Sequence, residues 1–417
     1  MKILMIDKYY FIKGGAERYA FELSRILEAN GHTVVPFAMQ HPDNFQTRYA
    51  RYFVSNIEYN VSSLRQKMAL GLKATARMIY SFEAKRKLEA LIRDVEPDIA
   101  HLHMIEHQLS PSILHTLKKY NIPTIQTVHQ YKLVCPNYRL YNPRTRSICL
   151  KCVGSHAWHP VFERCHKNSL MASLIISIES AIHRKTKIYE RGIDLFHVPS
   201  KFMGEKLIEG GIDPQKIRHM FYTIDLRRFK PFYRAGDYIL YLGRLSDEKG
   251  ILTFLQAAKQ LPDVPFFLSG DGPQRSQLEA FVAEHELNNV TFLGMKSGAE
   301  LESIVKKARV VVVPSEWHDN SPLVIYESFA YGKPVIASRM GGMPELVDHE
   351  ENGFLFHAGD VKALVNYIQT LWKNPELAEE FGVAARAKAE KQFSPDWHYQ
   401  NILQWYQELM QSASVMV

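Results

Sequence analysis

Two successive trains of short β-branched runs, each run followed by a segment of helical spacing, constrain this chain more than any other feature. The first train reads KILMID, HTVVPFAM, DIAHLH, PTIQTVH and DLFHVPS; the second reads DYILYLGR, VPFFLSG, NVTFLG, RVVVVPS and KPVIAS. Near-continuous apolar strands separated by helices are what a parallel sheet requires, because each parallel crossover lays a helix on one of its faces. Two trains mean two sheets, and 417 residues are too many for one ordinary core. The pattern predicts an α/β fold of two doubly wound parallel-sheet domains facing a central cleft. The seam falls near TIDLRRFKPFYRAGD, where polar and Pro/Gly residues part the two trains. Expected bounds are 1–222 for the first domain, 223–394 for the second, and 395–417 for a last aromatic-striped helix crossing back to the first.

Two stretches interrupt the first train. Residues 61–93 read as a basic amphipathic helix or helix pair, and residues 131–168 form a long loop. Long insertions of this kind usually shape a domain's particular site. The loop holds all four cysteines, Cys135, Cys149, Cys152 and Cys165, spaced C-x13-C-x2-C-x12-C. Such clustering points to metal before disulfides in a reducing compartment. Structural zinc, with His156, His159 and His166 as further ligands, stands beside free thiols and a redox or iron–sulfur role.

The formal charge of +7 conceals an asymmetry. Up to Ser200 there are 28 Lys and Arg against 16 Asp and Glu, a net of +12; the remainder has 23 against 28, a net of −5. The basic half suits a phosphate-bearing substrate or an anionic membrane surface, or is a solvated face without a partner. Aromatic-interleaved basic runs of the single-strand-binding kind are absent, so nucleic acid is not the expected partner. No run reaches the roughly 18 apolar residues of a spanning helix, and MKILMID enters a strand instead of a signal peptide. A cytoplasmic enzyme is expected, with peripheral membrane contact through 61–93 and the amphipathic SLMASLIISIESAIHRKTKIY.

In open α/β sheets ligands bind outside the carboxyl ends of the strands, so the strand-end motifs carry the chemistry. In DNSPLVIYESFAYGKPVIAS, Ser321 and Pro322 read as N-cap and first-turn residues, leaving the N–H groups of 322–324 as an anion site, with Asn320 and Leu323 alongside. Asp319 and Glu327 flank that helix start, where carboxylates suit sugar or ribose hydroxyls at the edges of a phosphate. Their alternative is a cap-supporting Asp and a solvent-facing Glu. GRLSDEKG places Arg244 and Lys249 across one turn, a pair of cations able to neutralise a diphosphate, or a solvated turn. KGGAER puts Gly14 and Gly15 at another helix start, where the backbone can approach a ligand closely. It lacks the GxGxxG spacing of a dinucleotide site. His129 ends PTIQTV at the cleft, either in a chemical role or as a hydrogen-bonded structural residue. His101 and His103 share one strand face as an acceptor wall or a strand end.

Taken together, GRLSDEKG, LSGDGP, VVPSEWHDNSPLVIYESFAYGKPVIASRMGGMPELV and ENGFLF resemble, in order, the motifs of retaining glycosyltransferase family 4, which has the GT-B architecture of two Rossmann-like domains. The resemblance runs nearly end to end and is strongest over 237–357. It implies transfer of a sugar from a UDP-, GDP- or ADP-linked donor to a hydroxyl of a glycan or lipid-linked acceptor, in cell-surface polysaccharide or glycolipid synthesis. By resemblance Glu327 accepts from ribose hydroxyls, Asp319 contacts the donor sugar, Arg244 and Lys249 clamp the diphosphate, Gly15 closes over it, Gly294 joins the donor site and His129 lies near the reacting centre. It also implies that no metal is needed for the chemistry. Three departures are visible: the Glu-x7-Glu motif begins with Asp319, the usual His-Asp is His129-Gln130, and YTID stands where Asn-Gly-Val-Asp is common. The competing expectations are a non-catalytic nucleotide-sugar-binding subunit of an envelope assembly, and a phosphorylase or epimerase on the same architecture.

Overall fold

The computed structural model describes residues 1–56 and 64–415. In chain order its strands are β1 (Lys2–Ile6), β2 (Thr33–Phe37), β3 (Ile99–Leu102), β4 (Thr124–Thr127), β5 (Tyr141–Asn142), β6 (Ser147–Ile148), β7 (Leu195–Val198), β8 (Ile217–His219), β9 (Ile239–Leu242), β10 (Phe266–Ser269), β11 (Val290–Gly294), β12 (Val310–Val313), β13 (Val335–Ser338) and β14 (Gly353–Phe356). Each train of β-branched runs folds into one six-stranded sheet, ordered β2-β1-β3-β4-β7-β8 in the first and β11-β10-β9-β12-β13-β14 in the second. Neighbours in both sheets run parallel. The strand order reverses direction beside β1 in the first sheet and beside β9 in the second. Helices on either side of such a reversal leave on opposite faces and open a crevice at the strand ends. The two crevices face each other.

Alternation along β1 shows how one strand serves two cores. Leu4 and Ile6 enter a cluster confined to the first domain, whereas Ile3 and Met5 enter a cluster that continues into Leu240, Val311, Ile325 and Phe329 of the second. A third cluster, around Ile239, Phe254 and Val312, belongs to the second domain alone. The shared cluster also takes in Ile402, Trp405 and Tyr406 of the last helix, Pro395–Val415. That helix lies against the first domain, where Tyr399 meets His32 at 2.9 Å, His398 meets Tyr19 at 2.9 Å and Tyr406 meets His101 at 2.7 Å.

Of the basic stretch 61–93, positions 61–63 lie outside the described residues. The rest forms two helices, Leu64–Ile79 and Phe82–Val95, the second capped by the Ser81 hydroxyl accepting from the Ala84 N–H at 3.2 Å. Arg77 is buried and paired with Glu83, so this run is tied into the fold as well as solvated. The cysteine loop carries the small antiparallel hairpin β5–β6 and leads through the helix His159–Glu163 into the helix Leu170–Thr186. Among the described residues no helix is long and apolar enough to cross a membrane.

Candidate functional site

Between the two sheets lies a cleft of about 960 Å³. Its second-domain wall is built at the reversal point. After β9 the chain passes Gly243 and Arg244 into a short turn, Asp247–Lys249, closed by Gly250 in the left-handed region at φ 66°. A Cβ at Gly250 would stand 1.9 Å from the Pro314 carbonyl, so only glycine lets this turn seat against the end of β12. Lys249 is thereby aimed into the cleft, where its Nζ lies 2.5 Å from Asp319 Oδ2 and 5.3 Å from the centre of the Trp317 ring. Arg244 is exposed to the cleft and makes no ion pair or side-chain hydrogen bond with another described residue. The two cations expected for a diphosphate thus stand on one wall, one braced and one free.

After β12 the helix Leu323–Ala330 begins, and its start differs from the expected cap. Pro322 is the N-cap residue, extended at φ −72° and ψ 119°, and no side chain caps the helix. Ser321 instead bonds the Tyr326 hydroxyl at 2.6 Å, turned inward. Proline has no N–H, so the anion-facing donors are those of Leu323 and Val324, which a helix start leaves without intrahelical partners. Asn320 is consumed as well. Its Nδ2 donates to the Val128 carbonyl at 3.2 Å and its Oδ1 accepts from Ser200 at 2.6 Å, so it ties the domains together. Gly294 is not in the cleft wall: its carbonyl accepts from the Gly270 N–H at 2.9 Å, and the turn it makes presents Met295 and Lys296 to the cleft.

The first-domain wall begins after β1. Gly14 is the extended N-cap of the helix Gly15–Ala29, and a Cβ on Gly15 would lie 3.4 Å from Leu323 Cδ1 across the cleft. Two helix starts therefore approach one another from opposite domains, each carrying partial positive charge. One turn further, Arg18 pairs with Glu327 across the domain boundary. Glu327 is largely buried, and burial holds its carboxyl above the usual range against the pull of Arg18. It is not the solvent-facing helix residue that its position alone allowed.

His129 belongs to a buried histidine ladder whose hydrogen bonds follow from one acceptor. His103 Nε2 lies 2.9 Å from Met5 Sδ, and a thioether can only accept. His103 Nε2 therefore carries the proton and its Nδ1 accepts from His129 Nε2, 3.0 Å away. His129 Nδ1, left as an acceptor, takes the Tyr222 hydroxyl at 2.6 Å. Burial holds both histidines well below the ordinary imidazole range and Tyr222 well above the ordinary phenol range, in keeping with neutral rings and a protonated phenol. Both nitrogens of His129 are occupied, so it has no lone pair with which to take a substrate proton. His101 likewise bonds Tyr406 and Thr127 inside the domain; neither it nor His103 lines the cleft.

The four cysteines are free, three of them buried and Cys149 half-buried. Burial, reinforced by neighbouring cysteines, pushes the Cys165 thiol up to about 12 and Cys135 and Cys152 upward too. Cys135 Sγ donates to Asn137 Oδ1 at 2.9 Å, a bond made by a protonated thiol and not by a metal-bound thiolate. Among the described residues no group of three or more His, Cys, Asp or Glu side chains is arranged to hold a metal ion. The folded loop thus gives the expected zinc no ready cage. It does reach the second domain, with Arg139 4.0 Å from Glu248 and Arg146 3.4 Å from Asp247, beside Lys249.

Arg18, Tyr222, Lys296 and Trp317 also line the cleft without having been singled out in the sequence. Arg18 lay in view within KGGAER, one helical turn past the glycines. Tyr222 and Trp317 carry no local signal of a polar role.

This is a two-domain α/β protein with cations and helix starts converging on one cleft between its sheets, a setting that suits an anionic ligand. Residues 13–228 match the family model for Glycosyltransferase Family 4, and residues 224–388 match that for glycosyl transferases group 1. The chain belongs to glycosyltransferase family 4. It is 25% identical to the phosphatidyl-myo-inositol mannosyltransferase of Mycobacterium leprae over 99% of this chain and 98% of that protein. It is 30% identical to the sulfoquinovosyl transferase SQD2 of Arabidopsis thaliana over 51% of this chain, a match that spans only 43% of that relative. Among solved structures, sucrose-phosphate synthase from Thermosynechococcus elongatus superposes with a TM-score of 0.73 at 22% identity, covering 99% of both chains. Anabaena Alr3699/HepE in complex with UDP and glucose gives 0.67 at 18% identity, covering 98% of this chain and all of that one. The architecture is GT-B.

Proposed function

We propose that this glycosyltransferase moves a sugar, with retained anomeric configuration, from a nucleotide-sugar donor to a hydroxyl of a glycan or lipid-linked acceptor in polysaccharide or glycolipid synthesis. The observation that carries this is the convergence of Arg244, Lys249 and the start of the helix Leu323–Ala330, with Asp319 and Glu327 on either side of that start. The cations and the N–H groups of Leu323 and Val324 receive the diphosphate; the carboxylates accept from sugar and ribose hydroxyls. Glu327 does so once Arg18 shares it with the ligand, and Asp319 is already oriented by Lys249. Anabaena Alr3699/HepE, of like fold, is a complex with UDP and glucose, which makes a uridine donor the first to test.

In the proposed step the bond from the anomeric carbon to the phosphate oxygen breaks, and a bond from that carbon to the acceptor oxygen forms on the same face. The acceptor proton passes to the departing phosphate oxygen, whose growing charge Arg244 and Lys249 stabilise. Saturation of His129 at both nitrogens supports this route over a histidine base. His129 instead forms a rigid neutral floor for the reacting centre, as the ladder behind it has no slack.

A thermal-shift comparison of UDP-, GDP- and ADP-sugars on the wild type, Glu327→Ala and Arg244→Ala tests the proposal. A donor at a hundred times its dissociation constant adds about 2.7 kcal/mol of apparent stability. One nucleotide class is expected to raise the wild-type midpoint and to lose that effect in both variants. A wild type unmoved by all three sinks the proposal.

A further inference from the structure

Outside the cleft, the molecule's exposed apolar surface is unevenly spread. Of sixteen large apolar side chains exposed among the described residues, five fall between positions 150 and 171: Leu150, Trp158, Phe162, Leu170 and Met171. The helices His159–Glu163 and Leu170–Thr186 pack against each other, so Phe162, Leu170 and Met171 flank the turn that joins them, with Trp158 four positions before Phe162 at the start of the first helix. Phe162 is 78% exposed and Met171 65%. Single exposed apolar residues are ordinary, but a cluster on one helical tip marks a contact surface.

Charge tells what the tip contacts. Its turn carries Arg164 and Lys167, both exposed and neither in an ion pair among the described residues. The acids nearby are spoken for: Glu163 pairs with Lys151, and Glu179 is buried against Lys132 at 2.7 Å. Beyond these no Asp or Glu occurs between 143 and 189, whereas Lys185 and Lys187 add exposed positive charge. A second copy of the chain would bring like charges together at its own tip. Aromatic and aliphatic side chains ringed by unpaired cations instead suit the boundary of an anionic bilayer, where rings and chains enter the headgroup layer and cations meet lipid phosphates. We propose that the tip formed by Trp158, Phe162, Arg164, Lys167, Leu170 and Met171 seats this protein on an anionic membrane. The seat is rigid, because Cys165 is buried inside the turn and the Ser169 hydroxyl caps the following helix by accepting from the Ala172 N–H at 3.3 Å.

The same insertion enters the cleft at Tyr138 and touches the turn of Lys249 through Arg139 and Arg146. Seating its tip on a bilayer therefore favours a lipid-linked acceptor, a consequence that rests on the transfer proposed above; membrane binding itself does not. The test is flotation of the full chain with phosphatidylcholine vesicles with and without phosphatidylglycerol. Expected are binding to the anionic vesicles alone, weakening with salt, a fall of roughly 25-fold in Arg164→Gln/Lys167→Gln, and a fall of roughly tenfold or more in Phe162→Ser/Met171→Ser. Ligand-free melting transitions on the same samples show that each variant is folded, and donor-induced thermal shifts report separately on the transfer proposal. Failure to bind anionic vesicles, or binding unchanged in both variants, overturns the membrane seat. So does a dimer, seen by sedimentation, that Phe162→Ser/Met171→Ser dissolves.

Discussion

The two walls of the cleft treat their polar groups in opposite ways. On the second-domain side, groups are left for a ligand: among the described residues Arg244 has no side-chain partner and Trp317 Nε1 is buried without one, and a helix start faces the cleft uncapped, as the Gly15–Ala29 start does opposite. On the first-domain side the histidines and their neighbours satisfy each other, from Met5 through His103 and His129 to Tyr222, and from Tyr406 through His101 and Thr127 to His197, with the Tyr131 hydroxyl the exception at the cleft, buried without a partner among the described residues. One wall is poised to bind and the other is built to stay put. On the transfer proposed above, donor recognition belongs to the second sheet's loops and acceptor recognition to the insertions of the first.

If the first wall is a closed set of neutral rings, acid should undo it. Burial lowers His101, His103, His129 and His398 well below the ordinary imidazole value, and His197 to about 4. A depressed folded value means the unfolded chain binds protons first, so stability is full above the unfolded value and lost as pH falls through it toward the folded values. Each such histidine removes on the order of 1 kcal/mol between pH 6.5 and 5.5. Five together should lower the melting temperature steeply over that interval. A midpoint that stays flat from pH 7.5 to 5.5 would mean the ladder is hydrated and the contrast between the walls is false.

Arg244→Ala attacks the other wall. Loss of a charge that acts on the leaving phosphate should lower the turnover rate by about 10² to 10³ with the fold intact, by analogy with losing one oxyanion donor. His129→Asn, which keeps one hydrogen bond of the ladder, should cost far less. Equal losses in the two variants would mean that the first wall does chemistry after all.

How far sequence alone reached follows the same division. The layout of the second wall was legible because it depends on short local patterns: Arg244 and Lys249 share one turn, and Asp319 and Glu327 flank one helix start. The fold was legible for the same reason, since two trains of β-branched runs allow few other arrangements. What stayed hidden is tertiary. Nothing local says that Asn320 will tie the domains, that Ser321 will turn away from the helix it precedes, or that Arg18 will find Glu327 more than three hundred positions on. The histidine ladder draws on residues from β1, β3 and β4 and on the seam, and its proton order is set by a methionine, a residue no motif would select. The cysteine spacing suggested a metal cage, but nothing local says that three of the four thiols will be buried or that Cys135 will lie against Asn137.

Arg18→Ala tests the tie between the walls. Its side chain is half exposed, which limits the pair to roughly 1 kcal/mol. A melting temperature lower by a few degrees is expected, with KM for the donor raised severalfold and kcat little changed. If kcat falls as far as in Arg244→Ala, Arg18 belongs to the charge-stabilising set and the first wall is less inert than its hydrogen bonds imply.

The smallest expected effect concerns the cysteine loop, which belongs to the inert wall yet reaches the Lys249 turn. With three thiols buried and raised, a thiol reagent should titrate Cys149 quickly in the native protein and all four only after unfolding. Chelator should leave the melting temperature unchanged, because among the described residues no metal-holding group is formed and Cys135 and Cys165 are buried in packing that orders the loop. One zinc per purified chain, with four thiols protected until chelator is added, would reverse this: the sulfurs would then close into a cage that brings Arg139 and Arg146 with it. In that case the donor's KM should respond to chelator as well, since those arginines lean on Glu248 and Asp247 next to Lys249.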